Sequence, residues 1–198
     1  MPQLLRRDLS SPVGPILAGI VEPGLTAHEP GGVCLLELGD TDRRARELAE
    51  LESYFGGVFV ADTVHGGSSM LDRLERELGE YFDGSRRAFS VPICAPGTRF
   101  QHEVWNAMRR IPFGETTTYG GLARSLGRKA TASRAVGLAS GRNRVSLLIP
   151  CHRVVDASYD GEVGSTRGLR GYGGGLQTKQ WLLEHEQAVV GRGLFSRS

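Results

Sequence analysis

The sequence predicts an α+β protein of two small domains: a sheet-and-helix domain over residues 1–94 and a mostly helical domain over residues 95–198. Three observations carry that reading. Short apolar runs broken by turn residues crowd in before residue 39, whereas helical spacing prevails after residue 97. Cys94-Ala95-Pro96-Gly97 has the composition of a linker. The charge also reverses there. Residues 1–96 carry 9 Lys and Arg against 15 Asp and Glu, a net of −6, and residues 97–198 carry 15 against 7, a net of +8. A chain of 198 residues is long enough for two such cores.

In the first half, residues 3–8 and 12–21 read as strands, punctuated by Ser11-Pro12-Val13-Gly14-Pro15. Residues 33–38 are a third strand. Residues 41–55 set Ala45, Leu48, Leu51 and Phe55 at helical spacing, and the Gly-rich 56–68 reads as a loop. Ser69 is placed to cap a helix whose stripe is Leu71, Leu74, Leu78 and Phe82, a core face. Residues 89–93 form a short extended piece.

In the second half, Thr98-Arg99-Phe100-Gln101 is a capping box, since the threonine can cap the helix while the glutamine reaches back. That helix should run to about Arg110, with Phe100, Val104, Trp105 and Met108 inward, and Ile111-Pro112-Phe113-Gly114 stops it. Thr117 or Thr118 caps a second helix that ends at Gly127, and a third runs from about Thr131 to Ser140. Two short helices joined by a tight turn suggest a helix-turn-helix. The second of them, Ala132-Ser133-Arg134-Ala135-Val136-Gly137-Leu138-Ala139-Ser140, is built of small residues that let its backbone approach a neighbour closely. That neighbour is either another helix or a narrow nucleic-acid groove.

Composition excludes several classes. Hydrophobic content of 39% with 23% charged residues is that of an ordinary soluble chain, and no apolar run approaches the ~18 residues of a membrane span. Met1-Pro2-Gln3-Leu4-Leu5-Arg6-Arg7 lacks the apolar stretch of a signal peptide, so a cytosolic protein is expected. Cys34, Cys94 and Cys151 are odd in number and far apart, which fits no disulfide framework. His28, Cys34, His65 and Cys94 lack metal-ligand spacing, so neither metal nor cofactor is expected. The +8 of the second half falls wholly within residues 97–153, and 22 of the chain's 24 basic residues are Arg. A basic segment rich in guanidinium suits a polyanion such as DNA. Without further context it also reads as a solvated face.

The chemistry concentrates at Ile149-Pro150-Cys151-His152-Arg153-Val154, after the apolar run Val145-Ser146-Leu147-Leu148-Ile149, which reads as a short buried extended segment. A thiol is a poor nucleophile at neutral pH and a neighbouring base makes thiolate. Adjacent side chains of an extended chain point opposite ways, so His152 reaches Cys151 only through a turn or a bridging water. The rival reading is a buried cysteine beside a structural histidine.

Around that motif stand Gly97-Thr98-Arg99-Phe100-Gln101 with Val104-Trp105, and Ile111-Pro112-Phe113-Gly114-Glu115-Thr116 with Tyr119-Gly120. Arg134-Ala135-Val136-Gly137, Asn143, Tyr172-Gly173-Gly174-Gly175-Leu176 and Trp181-Leu182-Leu183-Glu184-His185-Glu186 follow in order. Over residues 97–186 the chain resembles the O6-alkylguanine-DNA alkyltransferases of bacterial type, the methylated-DNA–protein-cysteine methyltransferases. The resemblance implies a ribonuclease H-like N-terminal domain and a winged helix-turn-helix-like C-terminal one. It implies repair of O6-alkylguanine in double-stranded DNA, with O4-alkylthymine a further candidate, by irreversible, stoichiometric transfer to Cys151. His152 would take the thiol proton through a water, Glu186 would hold His152, and Asn143 would tie the recognition helix to the active-site segment. Tyr119 would crowd the 3′ phosphate and meet the flipped base. Val154 and Cys151 would offer carbonyls to its exocyclic amine, Gly173 an amide to O6, Tyr172 a wall, and Lys179 a polarising charge. Arg134 would intercalate from a minor-groove helix that also presents Ala132, Ser133, Ala135 and Gly137. The protein would be a cytoplasmic monomer, on the nucleoid when bound, with clustering on DNA and the range of alkyl groups left open.

Two departures stand out. Arg144 replaces a proline common in relatives, beside Arg142, and these charges are free to be read as phosphate ligands. Residues 156–171 are longer than the family's connection and carry Gly161, Gly164, Gly168, Gly171, Arg167 and Arg170. They read either as a tolerated insertion or as a mobile loop settling near the lesion strand. The competing functions are a thiol hydrolase, a non-repairing alkyltransferase-like module and a regulator fused to a damage sensor.

Overall fold

The protein is described by a computed structural model covering residues 3–22, 31–39, 41–56, 59–63 and 66–195; His28 and His65 lie outside the described residues. The chain is α+β and divides into two compact units. One comprises Met1–Pro96 with Arg144–Leu148, and the other Gly97–Asn143 with Ile149–Ser198.

The first unit is built on a four-stranded sheet of order β3-β2-β1-β4, from β1 (Gln3–Leu9), β2 (Ile16–Val21), β3 (Gly32–Leu38) and β4 (Phe59–Asp62). β1 pairs antiparallel with β2 and parallel with β4. β2 starts at Ile16, later than its apolar run suggests. Pro12 and Pro15 cannot donate to a ladder, and Ser11 closes the turn by bonding the Gly14 carbonyl at 2.5 Å. β4 occupies part of the stretch read as a loop, because its partner β1 supplies the ladder that local sequence does not.

α1 (Thr41–Tyr54) and α2 (Ser69–Phe82) pack on the sheet, against β3 and β2 respectively. Leu48, Leu51 and Phe55 join Leu4, Leu17, Val21, Cys34, Leu35 and Cys94 in one core, while Ala45 is exposed. Ser68 rather than Ser69 caps α2, accepting from the Leu71 amide. The buried stripe is Leu71, Leu74, Leu78 and Tyr81, the i, i+3, i+7, i+10 face, with Phe82 half-buried beside it.

The outer edge of β3 is covered by two short pieces of chain. Val33 bridges Ile93, and Leu36 bridges Val145, both in parallel. Arg144 adds ion pairs to Glu47 and Glu50 of α1, which occupy the guanidinium that the sequence left free for phosphate. Residues 145–149 are buried as expected but extended only at Val145. The chain turns over 146–148, with Leu147 in the left-handed region at φ +69°.

The second unit is helical. α3 (Arg99–Met108) begins with the capping box of Thr98 and Gln101. α4 (Tyr119–Ser125) is capped by Thr118. A single 3₁₀ turn over Ala130–Ala132 leads into α5 (Ser133–Gly141), so this helix starts later than its small-residue run. α6 (Gly175–Phe195) closes the unit. Trp105 Nε1 of α3 donates to the Ala139 carbonyl of α5 at 3.0 Å, which fixes α5 on α3. β5 (Thr117–Thr118) and β6 (Val154–Val155) form a two-residue parallel pair joining the start of α4 to the segment after Cys151.

Candidate functional site

The Pro150-Cys151-His152-Arg153 stretch is not extended. Cys151–Arg153 form one 3₁₀ turn before β6, so His152 and Arg153 turn inward instead of alternating. Cys151, His152 and Arg153 are all buried. α6 meets this turn with Lys179, Leu182, Leu183 and Glu186, which recur at the spacing of one helix face and are all buried. Glu186 therefore sits within a long helix, not at its end.

Glu186 is the hub. His152 Nε2 lies 2.8 Å from its Oε1. Arg153 forks onto it, Nε to Oε2 at 2.9 Å and Nη2 to Oε1 at 3.0 Å. The Gly114 amide donates to Oε2 at 2.9 Å. Gly114 holds φ +80°, and a Cβ there would lie 2.6 Å from Val190 Cγ2, so the turn that delivers this amide admits only glycine. Arg153 Nη1 also donates to the Ile111 carbonyl at 2.8 Å. A carboxylate with this many donors is fixed in position.

Its ionisation follows from the same contacts. Burial works against the charge, but His152 and Arg153 hold the Glu186 carboxyl well below the usual carboxylate range. Burial pushes the His152 imidazole down; Glu186 opposes this while Arg153 and Lys179 add to it. A neutral imidazole has one N–H, and an ionised carboxylate can only accept. The proton is thus on Nε2, leaving Nδ1 a lone-pair acceptor. Nδ1 is buried and has no hydrogen-bond partner among the described residues.

Cys151 receives a hydrogen bond from Asn143 Nδ2 at 3.2 Å, and the same amide donates to the Ile149 carbonyl at 2.8 Å. Asn143 thus joins the end of α5 to the turn that carries Cys151. Lys179 Nζ donates to the Val154 carbonyl at 2.7 Å and the Arg170 carbonyl at 3.0 Å. Burial lowers its ammonium to about 8, while Cys151 is close enough to act in the other direction. Tyr119, at the start of α4, has its phenol pushed up to about 12 by burial and then by Cys151 and Asp156, so it stays protonated and able to donate. Tyr172 sets its ring edge-on to His152 with centroids 6.5 Å apart, and Gly173 follows it, half-buried.

On α5 the outward residues are Arg134, Ala135 and Leu138, while Ala132, Ser133 and Gly137 are half-buried. A Cβ on Gly137 would touch the Tyr119 ring at 3.8 Å, so helix and ring lie side by side. The structure therefore brings Cys151, His152, Glu186, Asn143, Val154 and Lys179 into one connected constellation, with Tyr119 and Tyr172 at its edges and Arg134 on an exposed helix face. Sequence reading missed the part played by Arg153 and Gly114. Their only signal was membership of Cys151-His152-Arg153 and Pro112-Phe113-Gly114, which gives residue types but no partner. It missed Leu138 as well, a large apolar side chain 69% exposed one turn beyond Arg134.

Comparison with known proteins places the chain among its relatives. Residues 99–188 match the family model described as 6-O-methylguanine DNA methyltransferase, DNA binding domain. A methylated-DNA–protein-cysteine methyltransferase of Methanosarcina acetivorans is 37% identical over 177 residues, 89% of this chain and 94% of that protein. The crystal structure of Mycobacterium tuberculosis O6-methylguanine methyltransferase superposes with a TM-score of 0.65 at 31% identity, covering 95% of this chain and 94% of that one. A structure described as Mycobacterium tuberculosis OGT in complex with DNA gives 0.66 at 32%, covering 94% of each. With identity of this level sustained over nearly the full length of both chains, this chain belongs to the methylated-DNA–protein-cysteine methyltransferase family.

Proposed function

We propose that the chain repairs duplex DNA by moving an alkyl group from guanine O6 to Cys151, once per molecule. The observation that carries this is the buried Cys151 sulfur, 3.2 Å from Asn143 Nδ2, beside a histidine whose tautomer is set by Glu186. In the reaction the Sγ–C bond forms as the O6–C bond breaks. The electron pair goes to guanine, which regains its keto form by taking up the proton that leaves the thiol, handed back from His152 through water. The thiol proton passes through a bridging water to His152 Nδ1, the buried acceptor with no hydrogen-bond partner among the described residues. Glu186 holds the ring and stabilises the imidazolium, as a carboxylate does in other histidine-based sites. The thioether product has no leaving group that a general acid could expel, so the protein is a transferase by chemistry and a reagent by kinetics.

The lesion is stacked inside the duplex, and the base must be flipped to reach a buried sulfur. We assign α4 and α5 to a winged helix-turn-helix-like element on the minor groove, and the first unit to a ribonuclease H-like fold. Arg134, exposed on α5, takes the space of the departed base, with Ala132, Ser133, Ala135 and Gly137 giving a low helix surface. Tyr119 crowds the neighbouring phosphate and donates to the base. Gly173 donates to O6, Tyr172 forms the wall, and the Cys151 and Val154 carbonyls accept from the exocyclic amine. Lys179, already bonded to the Val154 carbonyl, supplies positive charge near the thiolate.

The test is label transfer. Incubation with O6-benzylguanine, or with a duplex carrying radiolabelled O6-methylguanine, should load one label per protein and stop. Repeated turnover on esters or amides, with no retained label, would instead point to a thiol hydrolase.

A further inference from the structure

Residues 156–171, the stretch longer than the family's connection, are folded onto the second unit. The Asp156 amide donates to the Gly168 carbonyl at 2.9 Å and closes the segment at its neck. Inside it, Tyr159 donates to Asp156, Ser165 to Glu162 and Leu169 to Thr166, each at 3.1 Å between backbone groups. Gly168 has φ +73°, and a Cβ there would fall 2.2 Å from the Tyr159 nitrogen, so the two arms of the neck meet backbone on backbone. The Gly164 amide bonds Glu184 Oε1 of α6 at 2.7 Å. Leu169 is buried against Val155 of β6 and Leu183 of α6, and the Tyr159 ring packs on that cluster.

The neck leads into the site. Leu169 is followed by Arg170, whose carbonyl accepts from the Lys179 ammonium at 3.0 Å. The second acceptor, the Val154 carbonyl, opens β6 directly after the turn that carries Cys151. The ammonium is thus held from two sides, one given by the nucleophile's own segment and one by the long connection. Buried dipoles act strongly on a buried cation, so displacing either carbonyl moves the charge.

We infer that Tyr159 is a positioning residue, whose ring locks residues 156–171 onto Val155 and Leu183 and so keeps the Arg170 carbonyl on the Lys179 ammonium. This deepens the transfer reading and rests on it. The segment supplies no reacting atom and needs none of its arginines on phosphate. Its length serves to bring an apolar anchor and a carbonyl to the far side of Lys179.

Single-turnover labelling by free O6-benzylguanine, run to saturation, separates the maximal rate from the half-saturating concentration. Undamaged-duplex affinity and thermal melting are measured in parallel. Tyr159→Phe keeps the ring and should match wild type. Tyr159→Ala should lose about tenfold in maximal rate, the order expected of a small misplacement near reacting atoms, with half-saturation and duplex affinity unchanged. A folded Tyr159→Ala protein labelling at the wild-type maximal rate overturns the inference, and so does a Phe variant as slow as the Ala one. If Tyr159→Ala melts below the assay temperature, Tyr159→Val is read by the same criteria. Absence of labelling in the wild type itself would sink the transfer reading, an outcome distinct from any difference among Tyr159 variants.

Discussion

The Cys151 sulfur accepts a hydrogen bond from Asn143, and His152 follows it in the chain. Cys34 and Cys94 are buried in the core of the first unit, and burial pushes the Cys34 thiol up. Cys151→Ser should therefore bind alkylated duplex and gain no mass, whereas Cys34→Ser and Cys94→Ser should gain one alkyl group each. Intact-protein mass spectrometry decides this, and alkylation of the Cys151 variant overturns the assignment. The buried His152-Glu186-Arg153 group makes a second prediction, about pH. Glu186 is depressed in the fold, so its contribution is present above the unfolded carboxylate value near ~4.3 and is lost as pH falls toward its folded value. His152 is also lowered. Below ~6.5 the unfolded chain binds a proton that the folded chain refuses, which again costs stability on acidification. Melting temperature should fall on acidification in two stages, the first as pH drops below ~6.5 and the second below ~4.3, and His152→Asn should remove the upper one. Arg153→Met strands a buried carboxylate and should cost about 3–5 kcal/mol at neutral pH, measured by denaturant titration.

Among the elements, α5 carries the groove-facing prediction. Arg134 and Leu138 lie one turn apart on its exposed face. Arg134→Ala should slow repair in duplex by on the order of tenfold or more, about 1.4 kcal/mol per tenfold, and leave reaction with free O6-benzylguanine within twofold. Equal slowing on both substrates would make Arg134 structural. How far each element could be read from sequence follows from where its determinants lie. α3 was legible to the residue at its start because Thr98 and Gln101 cap each other within four positions. The α2 stripe was legible from its period at Leu71, Leu74 and Leu78, while its last turn buries Tyr81 where Phe82 was expected. β4 was not, since a four-residue strand next to glycines exists only through pairing with β1, more than fifty positions away. The turn at Cys151 was not either. An apolar run before a proline looks extended until Leu147 adopts its left-handed conformation. At the site, residue types were readable, and the pairing of Glu186 with His152 and the tie made by Asn143 came from the resemblance, but the other partners were not readable. Nothing local to Glu186 says that Arg153 and the Gly114 amide will converge on it.

At the scale of the whole molecule, the charge reverses at residue 97, from an acidic first part of the chain to a basic segment around Cys151. The chain does not respect that division at one place, because Arg144–Leu148 belong to the first unit. Leu36 of β3 donates to the Arg144 carbonyl at 2.7 Å and accepts from the Ser146 amide at 3.1 Å. A fragment ending at residue 96 leaves both of those backbone groups without their partners and Glu47 and Glu50 without Arg144. It should be less stable than the same unit in the full chain by on the order of 2–4 kcal/mol. Amide exchange at Leu36 is the measurement, and equal protection in fragment and full chain would falsify the prediction. A peptide spanning residues 142–150, added in trans, should restore part of the protection.

That returning segment also sets an order in time. A ribosome delivers β1 to β4 and both sheet-packed helices before it delivers the strip that covers β3. At ~5–20 residues per second, the interval between residue 96 and residue 148 lasts roughly 3–10 s. Throughout it the outer edge of β3 stays open around Leu36, beyond the bridge from Val33 to Ile93, and an open edge is the kind of surface that pairs with other chains. The strip that ends this exposure is the one that runs directly into Pro150 and Cys151, so the β3 edge is closed only as Cys151 itself is being made.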